Sequence, residues 1–336
     1  MIFKKQRLKY AGKQTIKYLF YAIGEVLLII IGILVAMKLN DWNHEVKIQN
    51  GNYKKMENLK VSLQRISHEY SEPFFRIKNN EKTLKGYLFK TSKPSKERSS
   101  KLLRNLLFTP IIPNFNDFLF QEILNTKSNF NSLEHENILK KLELLNKNSK
   151  DINKEYDKII QLKHLIMNTI AEKGNLHIIS DNLKKIDDFI ENDPSAINEI
   201  RLLYASYFNT LNLIELSNGI NICLQIEIDN AGKKISLERI DSTFNINGFK
   251  KLESLSLGRK KDSIINPRRS FTAYFNSSSD NIKIICDEHK NEIVIKPNEL
   301  NYGIHNEGEL LKIHKGSSNE VLDSLEVKYD SYHIIN

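Results

Sequence analysis

Residues 18–37, YLFYAIGEVLLIIIGILVAM, form one apolar run about as long as a bilayer is thick. At a 1.5 Å rise per residue, ~20 residues match a hydrocarbon core of roughly 30 Å. Lipid offers no hydrogen bonds to a bare backbone, so an isolated run of this kind crosses only as an α-helix. Lys4, Lys5, Arg7, Lys9, Lys13 and Lys17 precede it, and the first 17 residues hold no Asp or Glu. No second run of comparable length follows. This asymmetry of basic charge predicts a single-pass protein: a basic cytoplasmic tail (1–17), a transmembrane helix (18–38) and the bulk of the chain outside.

The same run must be weighed against a cleaved signal peptide. Its uninterrupted part, Val26 to Met37, has the length of a signal-peptide core. Val35-Ala36-Met37-Lys38, however, fits a small-residue cleavage site poorly, and Tyr18 to Tyr21 extend the run to spanning length. An uncleaved signal anchor is therefore expected. Tyr18, Tyr21 and Trp42 suit the headgroup level, where an aromatic ring is buried and its polar tip stays wet. Glu25 needs an explanation, because a carboxylate in hydrocarbon costs a few kcal/mol. It lies near the cytoplasmic end, within reach of headgroups. It also shares a helix face with Leu28, Ile29, Gly32 and Ala36. Gly32 and Ala36 form a small-xxx-small pair, and Gly24 adds another small residue. Together, Gly24, Glu25, Gly32 and Ala36 are the candidate surface for helix association and a homo-oligomer.

Three segments carry a resemblance. Tyr21-Ala22-Ile23-Gly24-Glu25-Val26, Ile31-Gly32-Ile33-Leu34-Val35-Ala36 and Leu39-Asn40-Asp41-Trp42-Asn43 resemble the N-terminal signature of a bacterial family of single-pass, membrane-anchored proteins with a domain of unknown function. That family reads YAIGE, an aliphatic run, IGILIAL and NNWNE. The likeness is specific over about residues 17–45 and looser to about residue 230, where Leu103 to Leu145 follows the family's leucine-rich helical pattern. Lys38 and His44 depart from it. The resemblance implies a membrane anchor and a helical extracytoplasmic module; with the basic tail inside, the anchor is expected in the inner, cytoplasmic membrane. It implies no activity.

Beyond the anchor, Met56, Leu59, Leu63, Ile66 and Tyr70 make one helical apolar stripe, the mark of a core face or a coiled-coil seam. Pro73 is expected to break or kink this helix, with a second helix over Phe74 to Phe89. A loop over Thr91 to Ser95, a third helix to about Phe108, an extended Thr109–Asn114 connection and a short helix over Asn116 to Asn125 follow. Asn131-Ser132-Leu133-Glu134 resembles a capping box opening a helix to about Lys173, stopped at Gly174-Asn175. Another helix is expected over 176–191. Asp193-Pro194 then starts a helix reaching Ile222 or beyond, with aspartate as cap and proline in the first turn. Long helices with short connections suggest antiparallel neighbours in a helical bundle.

Near Asp229-Asn230-Ala231-Gly232 the pattern changes to short alternating segments. Strands are expected at Ile235–Ile240, Ser270–Phe275, Asn281–Cys286, Glu292–Ile295, Glu309–His314 and Leu325–Tyr329, spaced as in a small antiparallel sheet or sandwich. The predicted class is therefore α+β. It comprises the transmembrane helix, an α-helical domain or stalk (39–230) and a β-rich C-terminal domain (231–336).

The net charge of +9 suggests nucleic acid only until it is divided. Six of the 50 Lys and Arg residues sit in the first 17 positions, and the remainder nearly balance the 41 Asp and Glu. No nucleic-acid partner is expected. One basic loop, with Arg259, Lys260, Lys261, Arg268 and Arg269, is either a solvated loop or a contact for an acidic partner or headgroups. His44-Glu45 and His135-Glu136 lack the second histidine of a zinc-protease helix. Asp287, Glu288 and His289 read as a solvated turn rather than a metal site. Nucleophile elbow, phosphate loop and dinucleotide turn are all missing from the sequence. Cys223 and Cys286 read as two buried thiols rather than a bridge.

No catalytic, cofactor-binding or metal residues are expected, and no enzyme. The expected function is a membrane-anchored extracytoplasmic binding or scaffold protein whose partners are the bilayer and an envelope protein or ligand. A ligand sensor signalling through a membrane partner is the alternative, with an envelope hydrolase behind it.

Overall fold

The computed structural model describes residues 2–89, 103, 105–107, 133–173, 189, 192–230, 236–253, 269–286, 292–316, 318, 320–328 and 330–336. The chain falls into two compact units, Met1–Glu57 and Asn58–Asn336. Helix α1 (Ile2–Phe89) runs through both. It is followed by α2 (Leu133–Lys173), α3 (Pro194–Asp229), α4 (Leu237–Ile246) and eight short strands. The protein is α+β, with an N-terminal apolar helix, a helical region and a β-rich C-terminal part.

In the first unit, the segment Ile23–Lys47 of α1 is long and apolar enough to cross a membrane, and none of its most apolar stretch is buried by protein. Leucine, isoleucine and valine side chains from Ile23 to Leu39 all point into open space. Exposed apolar surface of that extent is unfavourable in water and natural in lipid.

In the second unit, α1 does not break at Pro73, and the expected second helix is its continuation. Proline removes one backbone hydrogen bond from a helix, a loss that packing can offset. Tyr70 and Ile77 on either side are buried at 1% and 2% exposure. The buried positions of α2 recur at alternating four- and three-residue steps: Ile138, Leu142, Leu145, Ser149, Ile152, Tyr156, Ile159, Lys163, Ile166 and Ile170. Those of α3 follow the same rhythm from Ala196 through Ile200, Leu203, Tyr207, Thr210 and Ile214 to Ser217, Asn221, Leu224 and Ile228. Such spacing keeps one seam facing a neighbouring helix.

Cross-helix contacts fix the directions. Lys141 meets Glu227 at one end of α2 and Thr169 meets Glu199 at the other, so α2 and α3 are antiparallel. Asn221 donates to the Leu63 carbonyl at 2.8 Å, while Asn80 donates to the Tyr207 hydroxyl at 3.2 Å, so α1 and α3 are antiparallel too. Asp193 caps α3 by accepting from the Ala196 N–H at 2.9 Å, with Pro194 in the first turn as the sequence indicates.

Two four-stranded sheets follow. Sheet A has the order β1 (Lys250–Lys251), β8 (Ser331–Ile335), β2 (Arg269–Asn276), β5 (Leu300–Asn306). Sheet B has the order β4 (Glu292–Ile295), β3 (Ile282–Cys286), β6 (Leu310–Lys315), β7 (Val321–Glu326). Sheet B is wholly antiparallel, but β8 pairs in parallel with both β1 and β2. Burial explains the difference. Strand β3 alternates buried and half-buried, with one face covered, whereas β2 is buried from Ser270 to Asn276 and β8 throughout. Parallel pairing belongs to sheets covered on both faces. Tyr274 and Ile335 of sheet A share a core with Ile284, Leu311, Ile313 and Leu325 of sheet B. On the other face of sheet A, Phe271 presses on α3, and Tyr332 stacks on Phe244 of α4 with ring centroids 4.9 Å apart. The second unit is thus layered: helices, sheet A, sheet B.

Several sequence expectations need correction. Of the strand expected at Ile235–Ile240, Ile235 lies outside the described residues and 237–240 open the helix α4. Ser236 caps it by accepting from the Arg239 N–H, and Ile240 and Phe244, one turn apart, are fully buried. The strand expected at Leu325–Tyr329 lies earlier, at Val321–Glu326, and β1, β5 and β8 were not anticipated. The expected features at 91–95, 109–114, 116–125 and 287–289 lie outside the described residues, as do the capping positions 131 and 132. Of the helices expected to Phe108 and over 176–191, the described residues Leu103, Asn105, Leu106, Leu107 and Phe189 are helical.

Candidate functional site

Three places in the second unit concentrate polar chemistry. The first is a tie between layers. Lys141 of α2 donates to Glu227 of α3 at 2.5 Å and to the Leu300 carbonyl of β5 at 3.3 Å. Burial pushes the Glu227 carboxyl up, and the Lys141 ammonium opposes that shift. A paired and largely dry charge couples helices to sheet.

The second is a closed cluster between the sheets. The Cys286 thiol donates to one Glu309 oxygen, the Asn306 N–H donates to the other at 2.8 Å, and His305 Nδ1 lies 3.7 Å from that second oxygen. Tyr274 meets the His305 ring edge-on, with centroids 6.0 Å apart. Gly303 makes room for the imidazole, because a Cβ there would fall 2.2 Å from His305 Nε2. Thiol, carboxylate and imidazole resemble nucleophile chemistry, but all four side chains are at most 7% exposed. The cluster is closed off inside the core, with the Tyr274 hydroxyl and His305 Nε2 buried and making no hydrogen bond. Cys223 is buried as well, and neither cysteine forms a disulfide.

The third place is open to solvent. A cleft of about 370 Å³ lies where α2, α3 and the edge of sheet A converge. Helix α2 contributes Asp151, Lys154 and Glu155, one helical turn. Helix α3 contributes Asn209, Asn212, Leu213 and Leu216, which share one face, with Glu215 beside them. Strand β2 contributes Arg269, Ser270 and Phe271, and β5 contributes Ile304, which sits opposite Phe271 in the ladder. Gly219 sets the approach of sheet to helix: a Cβ there would sit 2.5 Å from the Phe271 ring, so only glycine lets β2 press this closely on α3. Ser270 is locked by its own bonds, donating to the Lys328 carbonyl at 2.9 Å and accepting from the Asp330 N–H at 3.0 Å.

Within the cleft, Lys154 is engaged by Asp151 at 3.1 Å. Glu155 Oε2 is buried without a hydrogen bond, its nearest cation being Lys158 at 3.9 Å. Asn212 Oδ1 is likewise buried with no hydrogen-bond donor. Arg269 is exposed and makes no ion pair among the described residues. Carboxylates, amides, a guanidinium and an apolar wall therefore line one concavity.

The residues singled out from sequence are placed as follows. Gly24 is half-buried, while Glu25, Gly32 and Ala36 are exposed on α1. A Cβ at Gly24 or Gly32 would meet nothing within 4 Å. Tyr21 and Trp42 are exposed at 82% and 64%. The Tyr18 side chain, Arg259, Lys260, Lys261 and Arg268 lie outside the described residues. Arg269, from the same basic stretch, stands on the cleft. The α2 and α3 lining was not anticipated. Its one signal was Asp151, Lys154 and Glu155 at i, i+3 and i+4, which also describes any solvated helix face. No group of three or more His, Cys, Asp or Glu side chains arranged to hold a metal occurs among the described residues. Comparison with family models, curated proteins and solved structures finds no match for this chain.

Proposed function

We propose that this protein is a membrane-anchored, outward-facing binding protein of the bacterial envelope, held by one helix in the inner membrane, whose second unit takes a small polar ligand in the α2–α3–sheet A cleft. The observation that carries the proposal is the cleft itself, lined by acidic and amide residues of α2 and α3 and by Arg269, which makes no ion pair among the described residues. The single apolar helix supports the anchor, and the basic tail before it supports an inside N-terminus. The open, small-residue face at Gly24, Gly32 and Ala36 supports pairing of two anchors, with Glu25 on the same face.

Two measurements on the full chain test this reading. A cysteine placed at the exposed Asn336 should be labelled by an impermeant reagent in cells with a permeabilised outer barrier, while the buried Cys223 and Cys286 stay silent. Protection of that cysteine until the inner membrane is dissolved would place the bulk in the cytoplasm. A panel of small polar compounds should contain members that raise Tm of the chain in nanodiscs. Those shifts should vanish in Asn212→Trp, which fills the cleft. A panel with no active member would end the binding proposal.

A further inference from the structure

We infer that the cleft is built for a compact zwitterion, one ammonium and one oxyanion on the same small molecule; this rests on the binding function proposed above. The two halves of the argument come from different elements. On the helix side, Glu155 Oε2 and Asn212 Oδ1 are buried acceptors without a donor. The carboxyl-bearing residues Asp151, Glu155 and Glu215 and the amide-bearing Asn209 and Asn212 line this side of the cleft, so it favours a guest that donates several hydrogen bonds and carries positive charge. An ammonium does both, with three donors. Lys154 cannot serve, because Asp151 holds it, and Lys158 stays at 3.9 Å from Glu155.

On the sheet side, Arg269 presents a guanidinium without an ion pair among the described residues, at the start of β2. Its backbone is fixed by the ladder opposite Asn306. A guanidinium recognises carboxylate or phosphate through a two-pronged set of hydrogen bonds. Phe271 and Ile304 supply an apolar wall between the two polar ends. A cation alone would leave Arg269 unmatched, and an anion alone would face the helix-side carboxylates. Free amino acids and phosphoethanolamine-type headgroups share the required chemistry.

Calorimetry on the full chain in nanodiscs made without ethanolamine lipids tests the inference. The probes are the α-amino acids, phosphoethanolamine, and the matching simple amines and carboxylates. At least one zwitterion should bind, with its amine-only and acid-only analogues at least tenfold weaker. Arg269→Gln should weaken the zwitterion about tenfold and leave the amine unchanged, and Glu155→Gln should weaken both. Both variants should keep the Tm of the unliganded chain. Preference for amino acids would assign a free solute, and preference for phosphoethanolamine a lipid headgroup. An amine that binds as well as the zwitterion, or indifference to Arg269→Gln, would overturn the inference. Binding only by uncharged compounds or monoanions, abolished by Asn212→Trp, would overturn it while leaving the binding function intact. Absence of any binder would remove both.

Discussion

At the scale of single residues, His333 shows how burial turns a side chain into a pH dependence. It is 7% exposed, its Nδ1 lies 3.1 Å from the Leu252 carbonyl, and Asp323 lies 3.7 Å from Nε2. Burial holds its pKa below the ordinary histidine range, although the Leu252 carbonyl and Asp323 pull the other way. The unfolded chain takes up a proton near pH 6.5 and the folded chain does so only at lower pH. Stability is therefore complete above about pH 6.5 and declines as pH falls from there toward the depressed folded value. Urea midpoints between pH 7.5 and 5 should show this decline. In His333→Gln, where the amide can still donate to Leu252, the part of the decline beginning near pH 6.5 should disappear. An unchanged profile would mean that another group carries the dependence.

At the scale of elements, the seam of α2 contains a polar intruder. Lys163 stands in the buried row between Ile159 and Ile166 and is 4% exposed, and burial pushes its pKa down to about 8. At neutral pH the folded state holds a charge it would rather lose. Stability should rise with pH from about 8 to 10.5, where the unfolded chain still holds the proton and the folded chain does not. Chemical denaturation at pH 7 and pH 10 reads this effect. The seams are also where sequence was most informative. Asp193-Pro194 marked the start of α3, because caps act locally, while the stop expected at Gly174-Asn175 lies outside the described residues. Ile235–Ile240 misled because alternation over six residues fits a strand as well as the first turn of a helix, and the Ser236 cap decides between them. Strand β8 escaped notice because Ser-Tyr-His-Ile-Ile, buried on both faces, does not alternate at all. The cleft was illegible for a related reason. Its walls come from residues near 151, 212 and 269, and only the helix directions and the Gly219 contact bring them together.

At the scale of the whole molecule, the order of strands in sheet A sets the order of events in folding. Thr272 reaches its neighbour Ser331 across 59 residues of chain, and β1 waits for the same distant strand. In sheet B, by contrast, Ile285 faces Glu292 and Ile313 faces Asp323, so two of its three pairings are local. Distant pairings pay loop-closure entropy before they gain anything, which makes them slow. Pulsed hydrogen exchange during refolding of the full chain should find the amides of β3 and β6 protected before those of β2 and β8; simultaneous protection would show that the two sheets condense in one step. Because β2 carries both Arg269 and Phe271, the cleft is then among the last features to take shape. On the binding function proposed above, a newly made chain would hold its helices and sheet B for some time before it could recognise anything, and mutations that slow sheet A would delay the onset of binding without touching a single residue of the cleft.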